Sequence, residues 1–175
     1  MKPFRCMVQN YISETHFFFR GSLVGEMQMP EIDWGKVKSL HFDFKDLEYI
    51  NSYGIKSWVK FIKQVTEKHH QDPIHFHNCP KVIIDQINTI KGFAPYSYVM
   101  ESFNVPVYCE ACDHSEDVAY RLGREFQQPS ALEDVMHPKV DCPLCNARMS
   151  IDVLVKKFFH FLGSEPDQSP PTESK

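Results

Sequence analysis

The sequence predicts an α/β fold, a mixed sheet with helices, followed by a small four-cysteine module at the C-terminal end. Three observations predict it. Leu40, Phe42 and Phe44 alternate with His41, Asp43 and Lys45, the period of two that marks a half-buried strand. The period then changes: Ile55, Trp58, Val59, Ile62 and Val65 recur at helical spacing, with Lys56, Lys60, Lys63 and Lys68 mostly on the other side. Downstream, Cys109 and Cys112, then Cys142 and Cys145, form two Cys-x-x-Cys pairs.

The remaining elements follow in chain order. Residues 4–11 are apolar enough for a first strand, and residues 16–23 supply a second, with a turn around Ser13 and Glu14. Residues 24–38 are a connector carrying Pro30, with a short helical turn at 31–34 and Trp34 as a core cover. After the strand at 40–45, Asn51 or Ser52 is a natural N-cap, because a short side-chain oxygen accepts from the orphan N–H groups of a first helical turn. His69, His70, Gln71, Asp72 and Pro73 form a polar break. Residues 74–78 read as a short strand, with His75 and His77 on one side of it. Pro80 sits where a first helical turn tolerates proline. The helix at 82–92 then buries Ile83, Ile84, Ile87 and Ile90, and Gly92 closes it. A last strand is expected at 104–108, broken by Pro106. Strands alternating with helices imply crossovers and an α/β domain.

Composition excludes several functions. The net charge is −4 and no run of Lys or Arg stands out, which gives no support for nucleic acid or anionic lipid as a partner. No apolar run is long enough to span a membrane. The first residues have no secretory pattern, so a reducing, cytoplasmic setting is expected. Glycines number seven, few for a phosphate-cradling loop. No Ser-His-Asp order or paired-carboxylate pattern rises above chance, and the chain reads as non-enzymatic.

In a reducing setting the cysteine pairs read as metal ligands rather than disulfides. Two such knuckles complete a tetrahedron of thiolates around zinc, and iron also suits four thiolates. The 29 residues between the pairs fit a zinc ribbon with extra structure around 116–126. His114 and His137 lie close enough in sequence to replace a ligand, although four thiolates already close the site. A closed shell leaves no place for substrate, so the expected role is structural. Between the pairs lie seven acidic residues against Arg121, Arg124 and Lys139, a balance that repels phosphate and favours a protein partner. Residues 149–155 read as a strand closing the ribbon. In residues 156–162, Phe158, Phe159, Phe161 and Leu162 must bury, either on the first domain or against a partner. Residues 163–175 are a disordered tail by composition. The histidines at 69, 70, 75 and 77 suggest a second metal site, but surface positions near a turn account for them. Cys6 and Cys79 read as small buried hydrophobes.

The segment Asn51-Ser52-Tyr53-Gly54-Ile55, between a hydrophobic strand and a helix, resembles the signature of the STAS domain, the fold of anti-sigma-factor antagonists and of sulphate-transporter tails. That signature reads Asp-Ser-Ser-Gly-Leu; here Asn51 replaces the Asp and Tyr53 the second Ser. The resemblance covers about residues 4–107. It implies a STAS-like domain at 1–107, with a zinc-ribbon domain at 108–162 and the tail after it. It also implies that Ser52 matches the phosphoacceptor, and that a partner surface forms around Asn51, Tyr53, Lys56 and Lys60. The implied partner is a protein of a bacterial signalling pathway, such as a serine kinase of the anti-sigma class. Three other readings stay open: a subunit of a larger assembly with no phosphoswitch, a domain sensing a nucleotide or lipid, and a cysteine-based redox or metal enzyme.

Overall fold

A computed structural model of the chain describes residues 2–29, 32–37, 39–69, 72–135 and 139–163. It is a mixed α/β protein. Strands β1 (Arg5–Asn10) and β2 (Glu14–Leu23) form an antiparallel hairpin. Strands β3 (Ser39–Ile50), β4 (Ile74–His77) and β5 (Tyr98–Met100) add in parallel, giving one sheet in the order β1-β2-β3-β4-β5. Parallel neighbours need crossovers. Helix α1 (Ser52–Lys68) links β3 to β4, and α2 (Lys81–Thr89) lies between β4 and β5. The connector from β2 to β3 holds a 3-10 turn at Trp34–Lys36, later than expected at 31–34. Pro30 and Glu31 lie outside the described residues.

The core follows from the alternation. Phe17, Phe19, Phe42, Phe44 and Phe76 come from one face of the sheet and pack with Trp58 and Phe61 of α1. The indole N–H of Trp58 donates to the Phe93 carbonyl at 2.8 Å, so the buried ring keeps its polar edge satisfied. Strand β3 continues beyond the alternation read over residues 40–45, and there the alternation lapses: Phe44, Leu47 and Ile50 are the buried positions. The cause is two register shifts against β2, each with an extra residue on β3. Gly21, at φ +76, lies at the second shift, where its backbone meets Pro3 too closely for a side chain.

The expected last strand, 104–108, lies within a longer one, and a short strand before it was not expected. Strand β5 completes the first sheet, whereas β6 (Ser102–Cys109) is the centre of a second, antiparallel sheet, between β7 (His114–Arg121) and β8 (Ser150–Ile151). Pro106 does not break β6. Its carbonyl accepts from Asp152 N at 2.9 Å, so its donorless nitrogen faces the same side, past the end of β8. The expected domain boundary at residues 107 and 108 lies inside β6. The two sheets are joined at the start of that strand: Cys79 N donates to Ser102 O at 3.0 Å and Asn104 N to Cys79 O at 2.9 Å.

Residues 149–155, expected as one strand, give only the short β8 before α3 (Val155–Phe158) and α4 (His160–Gly163). These turns carry the aromatic segment back onto the molecule. Phe158, Phe159, Phe161 and Leu162 are buried, with the three phenylalanine rings against Phe103. Asn88 of α2 holds the Phe158 carbonyl at 2.8 Å. The segment thus buries within its own chain. Gly163 closes α4, and the rest of the expected tail lies outside the described residues.

Candidate functional site

The four cysteines of the two pairs come together. Cys109 ends β6 and Cys112 lies in the turn before β7, where Cys109 pairs with His114 across the hairpin. Cys142 and Cys145 ride a second hairpin, closed by the Asp141–Arg148 bridge, with Cys142 N bonded to Ala147 O at 2.8 Å. Each pair is followed by a residue in the left-handed region, Asp113 at φ 56 and Asn146 at φ 60. Asp and Asn are the non-glycine residues that best accept this conformation.

All four Sγ atoms lie within 4.8 Å of one another. Cys109 and Cys145 are 3.5 Å apart, as are Cys112 and Cys142. Zinc held by four thiolates at about 2.3 Å sets them about 3.8 Å apart. The cluster is therefore close enough to hold a metal ion and is compatible with zinc. The thiols share their protons unequally: burial works to raise Cys142, but backbone N–H groups of Leu144 and Cys145 together with the Cys112 and Cys109 thiols lower it, while the bond to Cys142 pushes Cys112 up. Four thiolates would fill the tetrahedral shell of such an ion. His114 stands instead 3.5 Å from Glu116 and is not one of the clustered ligands, while His137 lies outside the described residues.

The opening of α1 is the second site. Asn51 is the N-cap: its side-chain oxygen accepts from Gly54 N at 2.9 Å, and its side-chain nitrogen donates to Val24 O at 3.2 Å. An Asp would keep the first bond and lose the second. Asn51 N also donates to Leu23 O at 3.2 Å, and Gly54 packs on the Leu23 backbone. Asn51 and Gly54 thus fasten the helix start to the end of β2. Ser52, Tyr53, Lys56 and Lys60 are exposed, with the Lys56 ammonium 6.0 Å from the centre of the Tyr53 ring.

A third cluster escaped sequence reading. On the sheet face opposite the phenylalanines, His16, His41 and His75 are register partners across β2, β3 and β4. Their rings stack, His16 on His41 at 4.5 Å and His41 on His75 at 4.6 Å between centroids. His77 adds a contact, its Nε2 2.9 Å from His41 Nδ1. Carboxylates flank the row: Glu14 is 2.8 Å from His16, and Glu101 is 2.7 Å from His75. Burial, then the neighbouring rings of His75, His16 and His77, push His41 down to about 4. Sequence singled out His75 and His77 but not His16 or His41. The available signal was the matching phase of histidine in three strands. His70 lies outside the described residues.

Among the described residues no helix is long and apolar enough to cross a membrane. Compared with known proteins, the chain finds no matching family model, no matching curated protein and no matching solved structure.

Proposed function

We propose that this chain is a non-enzymatic regulatory or scaffolding protein, a STAS-like domain that binds a protein partner and carries a structural zinc ribbon. One observation carries this reading: at the opening of α1, Asn51 and Gly54 serve the fold while Ser52, Tyr53, Lys56 and Lys60 face solvent together. The antiparallel opening hairpin and the strand running into a capped helix support the STAS-like reading. A phosphate on Ser52 would lie against the positive end of the helix and beside Lys56, altering the charge a partner meets. The partner class that the resemblance suggests is a serine kinase of the anti-sigma type.

The zinc has a folding role in this reading. When bound, it ties the two hairpins together through four thiolates and offers no open position for chemistry.

Affinity capture with Ser52→Asp and Ser52→Ala tests the switch. A serine kinase or anti-sigma partner held by wild type and Ser52→Ala but lost by Ser52→Asp is expected. Equal capture by all three sinks the switch. A scaffold subunit without a phosphoswitch is the second reading, favoured because the fold alone accounts for Asn51 through its bond to Val24. Intact mass spectrometry separates the two: absence of phosphate on Ser52 across growth conditions selects the scaffold.

A further inference from the structure

We propose that Glu14, His16 and His41 form a second metal site, for a divalent transition ion such as zinc, with coordination left open to solvent. It is independent of the thiolate cluster and of any partner at α1.

The geometry comes from strand register. His16 and His41 face each other across parallel strands, with rings only 7° from parallel. Glu14 precedes His16 by two residues and so shares its face of the sheet. Its Oε2 lies 2.8 Å from His16 Nε2 and 4.0 Å from His41 Nε2, and the three donor atoms all lie within 4.8 Å. Ligands held at about 2.0–2.2 Å around a tetrahedral ion stand about 3.3 to 3.6 Å apart. The observed separations bracket that spacing, and the stacked rings must tilt toward each other so that both Nε2 lone pairs meet at one ion, a change that side-chain rotations supply without moving the strands.

Which nitrogen of His41 would ligate is already set. His41 Nδ1 contacts His77 Nε2 at 2.9 Å, which leaves His41 Nε2 toward Glu14. A ligating histidine held through its other nitrogen is the usual outer-shell arrangement. The remaining neighbour of His41 Nε2 is the Ser39 hydroxyl at 3.0 Å, which an incoming ion can displace. His41 is 12% exposed, His16 22% and Glu14 44%, so the site is walled on one side and reachable from the other. Two imidazoles and one carboxylate suit zinc, cobalt, nickel or copper better than calcium or magnesium. Three protein ligands leave room for water or an outside donor.

Equilibrium dialysis of the full chain against zinc, with elemental analysis, tests the site. Wild type is expected to hold one more zinc per chain than a His16→Ala/His41→Ala variant, whatever the four cysteines hold. Equal uptake overturns the proposal. Should the variant not fold, imidazole NMR of wild type decides alone. Added zinc is expected to shift the ring signals of His16 and His41 first. Zinc that shifts only other histidines, or none, overturns it.

Discussion

A β-carbon at Gly54 would lie 2.0 Å from the Leu23 carbonyl oxygen, and backbone on both sides fixes that distance. Gly54→Ala is expected to destabilise the protein by about 3 kcal/mol, since the helix start must lift off β2. A urea midpoint unchanged from wild type would contradict this. Asn51 makes a finer test. Asn51→Ala loses both the cap and the bond to Val24, a loss of about 1–2 kcal/mol. Asn51→Asp keeps the cap and adds charge at the positive helix end, so a change within about 0.5 kcal/mol is expected in the same titration. At Cys6, burial pushes the thiol up to about 12, and at Cys79 burial and then the Asp43 charge push it well above its ordinary value. Raised thiols stay protonated below their folded pKa. Alkylation of native protein at pH 8 is therefore expected to spare both; rapid labelling of either by peptide mapping would refute it. The cap at Asn51 was legible in sequence because capping is local. The close approach at Gly54 depends on Leu23, far off in the chain, and was not.

At the scale of elements, α1 was readable because Trp58, Ile62 and Val65 report a period that needs no partner. Strand β3 was readable only to residue 45. Beyond it the pattern depends on how β2 and β3 slip against each other, which is a pairing property. The histidine row was hidden for the same reason, since His16 and His41 become neighbours only once register is fixed. The four cysteines were legible because each knuckle is local and spacing alone joins them. The closing turns α3 and α4 rest on their aromatic anchors. Phe161 is 2% exposed and meets Phe103 edge-on at 5.2 Å. Phe161→Ala is expected to cost about 3–5 kcal/mol, readable as a fall in the unfolding midpoint. A loss under about 1 kcal/mol would mean the segment is not held there.

For the whole molecule, the core does not divide where the two expected domains meet. Phe103, Val105, Tyr120, Phe126, Phe158 and Phe161 belong to the same buried cluster as Phe42 and Trp58. A fragment ending at residue 107 would uncover Phe103 and is expected to aggregate or stay molten. A sharp cooperative unfolding transition from that fragment would refute this. The far end of the second sheet is different: Val107, Cys109, Cys142 and Met149 form a small separate cluster. Chelation of zinc-loaded protein is expected to speed amide exchange at 109–114 and 141–148 while Trp58 keeps its buried fluorescence. Collapse of both together would show that the cage supports the whole core.

Strand β6 buries every second residue, from Phe103 through Val105 and Val107 to Cys109. Its outermost sulfur therefore inherits its aim from the phase of the strand beneath it. Deleting a single residue between 103 and 109 would rotate Cys109 to the opposite side, whereas removing two restores its side and draws it inward by about 7 Å. Odd and even deletions along one strand should thus fail in different ways, the first by misdirection and the second by shortfall in reach.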